Sequence, residues 1–419
     1  MKISDMICVA GKSAFFFDDQ KAIKEGAERD GFIYKGPPRT EGFTAIRQAG
    51  ESISILLILE DGSVAAGDCA AVQYSGAGGR DPLFLAAAFV PLLRDTVAPA
   101  LIGRSLDAFR PLAAKLDDLR VQGKRLHTAL RYGLSQALLE AVALAHRSTK
   151  TQVLCREYAL PLIAEPVPIF GQSGDDRFEA ADKMILKQAD VLPHALMNHI
   201  DTKIGRDGGK LLDYVSWLAN RIVRLRTDPS YCPDIHIDVY GNLGPIFDHD
   251  PERIAGFLEM LGDAAGRFPL WIEGPVDMGG KGPQIQMLAE IKDALAARGS
   301  KVRIVADEWC NTYEDVVEFT DRRCCDMVQI KTPDLGSVHH IVESIVYCRK
   351  HGVGAYQGGT CNETDVSSRC CVHLALAARA DRILAKPGMG FDEGYSIVFN
   401  EMQRTLAMLQ RTIQPANRI

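Results

Sequence analysis

The sequence lacks any long apolar run, which argues against a membrane-spanning helix. Its most apolar stretch, residues 84–93, is too short to cross a bilayer and contains Pro91. Residues 1–13 also lack the apolar core of a secretory signal. A cytoplasmic protein without a membrane partner is therefore expected.

Basic clusters and paired cysteine motifs are absent as well. The net charge is −6 with both signs interspersed, and no Lys/Arg run or basic-aromatic stripe predicts a nucleic-acid partner. The 11 cysteines form no CxxC pair, which favours buried free thiols in a reducing compartment over a disulfide framework. With 47% hydrophobic and 24% charged residues, the composition is that of an ordinary folded enzyme, and 419 residues allow two or three domains.

The first region, residues 1–160, has α+β character. Residues 52–59 predict a strand, the turn signal at 60–62 follows, and residues 63–68 predict its hairpin partner. The helical pattern at 126–145 is rich in small residues and is expected to dock this region onto the rest of the chain.

A glycine-rich stretch at residues 71–80 fits no phosphate- or dinucleotide-binding pattern, because no strand–Gly–helix unit of suitable spacing surrounds it. Two interpretations remain open. It is either a plain flexible turn, which the sequence alone favours, or a lid over a site with Gln73 as its contact.

From residue 151 onward, strand and helix patterns alternate. The predicted strands are 152–158, 166–172, 190–196, 235–241, 269–275, 302–309, 326–333, 353–360 and 381–388. Apolar residues at helical spacing lie between them, as at Ile254, Phe257, Leu258 and Leu261. Such alternation predicts an α/β fold with a parallel sheet, and a run of this length favours a closed (β/α)-barrel at residues 161–419.

Four consecutive strand patterns each end in one side chain with a functional group. These residues are Asp238, Glu273, Asp307 and Lys331, and each interval is long enough for a strand, a helix and two loops. Because the carboxyl ends of barrel strands converge on one mouth, the four side chains are expected to meet there. Taken singly, each acid would more often cap the next helix, but four in register make that interpretation weak.

Three carboxylates around one point need a cation between them. A set of oxygen ligands without His or Cys suits Mg²⁺ before Zn²⁺. A lysine beside that ion is pushed toward its neutral form, and a neutral lysine could remove the acidified α-proton of a carboxylate substrate held on the metal.

This metal series resembles that of the enolase superfamily, and longer motifs resemble its methylaspartate ammonia-lyase family. The motifs lie at 69–84, 170–177, 190–196, 236–241, 272–275, 305–312, 327–336, 358–364 and 385–390, and the resemblance covers essentially the whole chain. The resemblance implies a modified, TIM-like (β/α)-barrel with an N-terminal α+β capping domain. It also implies a carbon–nitrogen lyase that eliminates ammonia from L-threo-3-methylaspartate to give mesaconate, in glutamate degradation.

The same resemblance implies a role for each matching residue. Lys331 would remove the β-proton and His194 would act on the opposite face, while Asp238, Glu273 and Asp307 would bind one Mg²⁺. The implied substrate-binding residues are Gln73, Gln172, Gln329, Thr360 and Cys361 for the polar groups, and Phe170, Tyr356 and Leu384 for the methyl pocket. A homodimer is also implied, and whether a monovalent cation such as K⁺ assists is left open.

Other functions remain as alternatives. One is another Mg-dependent dehydratase or epimerase of this superfamily acting on a small dicarboxylate, and a second is a metal-binding scaffold without catalysis. Residues 166–172 lack the Lys-x-Lys of other branches, which argues against racemases and cycloisomerases. Without the resemblance, Gln172 and Thr360 would be ordinary strand-end hydrogen bonders, His194 a loop histidine and Cys361 a buried thiol.

Overall fold

The computed structural model describes residues 1–74, 76 and 80–413. The amino-terminal part, residues 1–157, is called the capping region below. Its strands are β1 (Ile3–Asp18), β2 (Arg29–Asp30), β3 (Ile33–Tyr34), β4 (Arg47–Leu59), β5 (Val64–Cys69), β6 (Arg120–Val121) and β7 (Lys124–Arg125). Its helices are α1 (Gln20–Lys24), α2 (Ala86–Leu92), α3 (Ala98–Leu101), α4 (Phe109–Asp117), α5 (Thr128–Ala145) and α6 (Lys150–Glu157), with a π-helical turn at Leu93–Val97.

The predicted hairpin is confirmed as β4 and β5, which pair antiparallel from Ile53 opposite Cys69 to Ile58 opposite Val64. Alternate residues of β4 are apolar and fully buried, among them Ile55 and Leu57, because successive side chains point to opposite faces of a strand. The long strand β1, which the sequence did not reveal, pairs with the other edge of β4.

Helix α5 docks the capping region onto the barrel, as predicted. One of its faces packs on β5, and the other contacts two barrel helices. Across that second contact, the Ser135 hydroxyl accepts a hydrogen bond from the backbone N–H of Val338 at 2.9 Å, and the Tyr132 hydroxyl donates to Glu363 at 2.8 Å.

The rest of the chain is a closed barrel of eight strands. They are β8 (Ile169–Phe170), β9 (Val191–His194), β10 (Asp234–Asp238), β11 (Leu270–Glu273), β12 (Arg303–Ala306), β13 (Met327–Ile330), β14 (Gly354–Gln357) and β15 (Arg382–Leu384). Each strand pairs parallel with the next one, and β15 pairs with β8 to close the ring. The predicted (β/α)-barrel is therefore confirmed.

Helices between the strands cover the outside of the barrel. They are α7 (Glu179–Leu186), α8 (Gly209–Leu225), α9 (Leu243–Ile246), α10 (Pro251–Ala265), α11 (Lys281–Ala297), α12 (Tyr313–Arg322), α13 (Val338–Lys350), α14 (Asp365–Ala378) and α15 (Phe391–Ile413), with a π-helical turn at Ile200–Ile204. In α10, the four apolar residues predicted to share a face are buried. Among the described helices, none has the length and apolar character that a membrane crossing requires.

The predicted strand at residues 152–158 is wrong, because this segment belongs to helix α6. The Thr149 side chain accepts from the backbone N–H of Gln152, and the Gln152 side chain accepts from the backbone N–H of Thr149. This capping box satisfies backbone donors that a helix start leaves free. Val153 and Leu154 pack into the core from the helix, so their apolar character does not distinguish the two structures.

The close contact between α5 and β5 gives a test of the fold. A Cβ added at Gly133 would lie 2.5 Å from the backbone nitrogen and the sulfur of Cys69. We expect Gly133→Ala to lower the free energy of unfolding by roughly 1–3 kcal/mol through overpacking. Gly282→Ala, at a helical glycine with no neighbour within 4 Å, should be neutral or stabilise the protein. Thermal and urea denaturation measure both, and equal stability of the two variants would contradict the packing.

Candidate active site

Three acidic side chains lie at the carboxyl ends of three adjacent strands. Asp238 ends β10, Glu273 ends β11 directly opposite it in register, and Asp307 follows β12. Asp238 and Glu273 are buried, and the Asp307 side chain is only 13% exposed. The strand geometry thus brings together the acids that the sequence pointed to.

Burial of these acids has an electrostatic cost. Desolvation raises the pKa of Asp238 and of Glu273 well above the usual range, and repulsion from neighbouring carboxylates of the set raises it further. The carboxylates of Asp238 and Glu273 and the His194 ring lie close enough together, within 4.8 Å, to hold a metal ion. This group contains His194 and not the expected third acid, Asp307, which pairs with Lys331. The two carboxylates of the group, with Asp307 on the next strand, supply the hard oxygen donors that suit Mg²⁺.

Lys331 directly follows β13 and points to the same place. Its Nζ lies 2.6 Å from Asp307 Oδ1 and 3.4 Å from Glu308 Oε1. Burial by itself lowers the pKa of Lys331, but Asp307 and Glu308 together raise it above its usual range. From the sequence, a neutral lysine beside a bound cation was predicted. The carboxylates of Asp307 and Glu308 favour the protonated form of Lys331.

His194 ends β9 and faces the site from the other side. In the ring of eight strands, β9 and β13 are separated by the same number of strands in both directions, so His194 and Lys331 approach from opposite walls. The His194 Nε2 lies 3.6 Å from Asp238 Oδ2. Burial, with the positive charge of Lys331, lowers the pKa of His194 to about 4, so its imidazole is neutral near pH 7. Two nitrogen bases could therefore exchange protons with opposite faces of one substrate carbon.

A second histidine, His236, was missed as a site residue although the sequence places it on the same strand face as Asp238. Its Nε2 lies 2.8 Å from Glu273 Oε2, and its Nδ1 lies 3.1 Å from a guanidinium nitrogen of Arg382. Because arginine can only donate, Nδ1 must accept and Nε2 carries the proton. The short contact between Nε2 and Glu273 does not have the geometry of a hydrogen bond. The partner Arg382 is distant in sequence, so the spacing of residues gave no signal for it.

The residues expected to form the methyl pocket lie together inside the barrel. Phe170, Tyr356 and Leu384 belong to one buried apolar cluster. The Phe170 ring stacks on His236 at 4.3 Å between centroids and lies 5.9 Å from the His194 ring. Gln329 links this cluster to the acids, since its amide donates to Glu273 and, at 3.2 Å, to the Tyr356 hydroxyl.

The remaining candidate binding residues are linked by hydrogen bonds, which join Gln73 of the capping region to loops of the barrel. Gln73 donates to Asp18 at 2.5 Å, and its amide oxygen accepts from the Cys361 thiol at 3.5 Å. Thr360 and Cys361 are both buried. Gln172 donates to the carbonyl of Gly388 at 2.6 Å, and the Gly388 N–H donates to the carbonyl of Cys361 at 2.9 Å.

The lid interpretation of residues 71–80 falls in part on residues 75 and 77–79, which lie outside the described residues. Arg80, at the end of this stretch, was missed as a site residue. Its guanidinium lies 2.8 Å from Asp334 and 3.4 Å from Glu308, so it contacts the same acidic residue as Lys331 does. Its position at the end of the glycine-rich stretch could have identified Arg80 as a candidate from the sequence.

A separate cleft of about 980 Å³ opens at the amino-terminal end of the barrel, between Asp234, Trp271 and Arg303. It lies at the opposite end of the strands from the acids and Lys331. Its charged residues are of both signs, among them Lys292, Lys301, Asp263 and Asp326. The geometry of the three acids and the two nitrogen bases, and not this cleft, marks the candidate active site.

Comparison with known proteins gives one consistent family. The family model for the methylaspartate ammonia-lyase N-terminus matches residues 1–159, and the model for its C-terminus matches residues 161–411. The methylaspartate ammonia-lyase of Citrobacter amalonaticus is 62% identical over 98% of this chain and 99% of its own length.

Solved structures agree. The Citrobacter amalonaticus enzyme containing (2S,3S)-3-methylaspartic acid superposes with a TM-score of 0.97, at 62% identity, over 98% of this chain and 100% of that one. A Mg complex of the β-methylaspartase from Clostridium tetanomorphum gives a TM-score of 0.96 at 53% identity, over 98% of this chain and 100% of that one. A muconate lactonizing enzyme from Pseudomonas fluorescens, at 16% identity, covers 91% of this chain and 87% of its own with a TM-score of 0.59, which shows a shared fold.

The raised pKa of Asp238 leads to a test that needs no substrate. Asp238→Asn removes one of the mutually repelling buried charges and keeps the acceptor for the N–H of Tyr240, now 2.9 Å from the carboxylate. We expect the metal-free variant to be more stable than the unmodified protein by about 1 kcal/mol or more. Mg²⁺ should raise the melting temperature of the unmodified protein and have little effect on the variant. A thermal scan with and without Mg²⁺ measures this, and an equal Mg²⁺-dependent rise in both would remove Asp238 from the metal site.

Proposed function

The chain belongs to the methylaspartate ammonia-lyase family, and from that premise we propose how its own residues divide the work of the reaction. Its function is the elimination of ammonia from L-threo-3-methylaspartate, which leaves mesaconate. It is a carbon–nitrogen lyase. The observation that carries the assignment of roles is the meeting of Asp238, Glu273, Asp307 and Lys331 at one barrel mouth, with His194 on the opposite wall.

In this proposal, Asp238, Glu273 and Asp307 hold one Mg²⁺. When bound, the ion supplies positive charge beside the substrate carboxylate, which makes the neighbouring C–H bond more acidic. Gln329 supports the arrangement by donating a hydrogen bond to one oxygen of Glu273, and the His236 Nε2 lies 2.8 Å from the other oxygen. The hydrogen bond from Gln329 orients the Glu273 carboxylate.

Lys331 is the base that removes the proton from the carbon bearing the methyl group. Its Nζ can accept a proton only when neutral, and the two acids beside it, Asp307 and Glu308, set how readily it loses its own. If Asp307 bound the Mg²⁺, its carboxylate would stabilise the lysine proton less, and Asp307 is the closer of the two acids. The amino group then leaves as the C–C double bond forms.

His194 lies across the site with a neutral imidazole, so it is suited to act on the other face of the same carbon. Gln73, Gln172, Gln329, Thr360 and Cys361 hold the amino group and the carboxylates. The Cys361 thiol donates to Gln73 where the capping region meets the barrel, and Gln172 donates to Gly388, whose own N–H donates to the carbonyl of Cys361. Phe170, Tyr356 and Leu384 form the apolar wall for the methyl group.

Five further features belong to the proposal. Residues 1–160 serve as the capping domain and residues 161–419 as the catalytic barrel domain. A monovalent cation such as K⁺ as activator, a homodimer, and a place in glutamate fermentation rest on the family resemblance alone. A cytoplasmic location fits the 11 cysteines, all of which are free thiols.

The function itself is tested by adding L-threo-3-methylaspartate and Mg²⁺ to the purified protein. Mesaconate should appear as an ultraviolet absorbance together with an equal amount of ammonia, and chelation of the metal should stop both. Aspartate should give fumarate more slowly, because it leaves the apolar wall unfilled. Absence of mesaconate and ammonia under these conditions would overturn the assignment.

The two opposite walls predict a division of labour between Lys331 and His194. Lys331→Ala should remove almost all elimination from the threo epimer, whereas His194→Ala should slow the erythro epimer more than the threo epimer. The reason is that the proton on the methyl-bearing carbon points to one wall in the threo epimer and to the opposite wall in the erythro epimer. Rates for both epimers, with substrate saturating and Mg²⁺ present, measure this. If His194→Ala slows both epimers by the same factor, His194 is not the second base.

A further inference from the structure

A buried ion pair that the proposed reaction does not use lies at the same end of the barrel. Lys386 follows β15, Glu363 lies between β14 and α14, and both side chains are fully buried. Lys386 Nζ and Glu363 Oε1 are 3.0 Å apart. A buried ion pair is rarely more stabilising than well-packed apolar residues of the same volume, so its presence calls for a role other than stability.

Lys386 ties together the carboxyl ends of three neighbouring strands. Its ammonium donates to the Thr332 hydroxyl at 2.9 Å, to the Gly358 carbonyl at 2.7 Å and to Glu363 at 3.0 Å. These three contacts use all three N–H groups of a lysine. Thr332 comes after β13 and Gly358 after β14, so one side chain fixes β13 and β14 against β15.

Glu363 completes the network and includes the capping region. Its Oε1 also accepts from the Thr332 hydroxyl at 2.6 Å. Its Oε2 accepts from the Tyr132 hydroxyl of α5 at 2.8 Å and from the Ser367 hydroxyl of α14 at 2.5 Å. Both carboxylate oxygens therefore have two donors each, drawn from different elements.

The pair also fits tightly under the backbone. A Cβ at Gly359 would lie 2.5 Å from Lys386 Nζ and 2.9 Å from Glu363 Oε1. The chain at this point runs on to Thr360 and Cys361, two of the proposed binding residues. On the other side, Thr332 is the residue next to Lys331. The network thus touches both the proposed base and the proposed binding loop without contacting the substrate position itself.

We propose that Lys386 and Glu363 are positioning residues, which through Thr332 and Gly358 hold Lys331 in register with the loop that carries Thr360 and Cys361. This inference rests on the proposed function for its kinetic consequence. Its structural consequence is independent of that function, because the network either does or does not fix the place of the Lys331 side chain.

Thr332 gives the sharpest test, since it is the link between the pair and the base. Thr332→Val keeps the shape but removes the hydroxyl, while Thr332→Ser keeps the hydroxyl and serves as the conservative variant. We expect kcat to fall roughly 10- to 100-fold in Thr332→Val, with KM and Mg²⁺ affinity little changed, and Thr332→Ser to be close to the unmodified enzyme. A merely structural role would lower the melting temperature and leave kcat per folded molecule unchanged.

The pair itself is tested by Lys386→Met, with Lys150→Met as the matched control. Lys150 also forms an ion pair within the protein, with Glu140 of α5, but it contacts none of the proposed site residues. We expect Lys386→Met to lose at least as much kcat as Thr332→Val and Lys150→Met to keep it. A folded Lys386→Met enzyme with unchanged kcat would overturn the proposal. If Lys386→Met does not fold, the two Thr332 variants decide the outcome.

Crystal structures of the Thr332 variants separate this proposal from the proposed function. Lys331 Nζ should move away from Asp307 in Thr332→Val and stay within hydrogen-bond distance in Thr332→Ser, whether or not methylaspartate is turned over. An unmoved Lys331 in Thr332→Val overturns the positioning role alone. An unmodified enzyme that forms no mesaconate overturns the proposed function alone.

Discussion

Repulsion among buried carboxylates is the constraint on which the rest of the site depends. Parallel pairing of β10 with β11 sets Asp238 opposite Glu273, and β12 adds Asp307 beside them. Neither strand can slip by one residue without turning its acid into the helical layer, because side chains alternate along a strand. The fold therefore brings these charges together, and the neighbouring side chains limit the cost. Gln329 donates a hydrogen bond to Glu273, and Lys331 pairs with Asp307.

The capping region closes the mouth through polar contacts. Gln73 meets Cys361 and is itself held by Asp18, whose carboxylate pairs with Arg47 at 2.7 Å where both side chains are almost fully buried. Arg80 brings a second positive charge to Glu308 from the same region. A carboxylate substrate between these groups would meet hydrogen-bond donors from both parts of the chain. Recognition and exclusion of water then depend on the same contact between the capping region and the barrel.

Features that depend on residues close together in the sequence could be predicted, and contacts between distant residues could not. Strand ends and helix faces follow from patterns a few residues long, so Asp238, Glu273, Asp307 and Lys331 were found, and the barrel with them. Strand β1 was missed because its residues alternate weakly, with several exposed on both faces. Residues 152–158 were misassigned as a strand because apolar residues in a short helix resemble those of a strand, although Thr149 and Gln152 carried the capping signal. The His236–Arg382 and Glu363–Lys386 contacts join residues that only the closed ring and its loops bring together.

Two kinds of buried charge therefore coexist at one end of the barrel, and they differ in how completely they are compensated. At Glu363 and Lys386, every donor and acceptor of the ion pair has a partner, so the network has one favourable arrangement and resists displacement. At Asp238 and Glu273, the charges repel one another and raise the pKa of both groups, so the arrangement is favourable only when positive charge arrives. A rigid, fully paired network beside a strained, poorly paired one is what a preorganised site requires. The paired network fixes the geometry of the site. The repulsion between the poorly paired carboxylates is relieved when a positively charged ligand binds, and this relief favours binding.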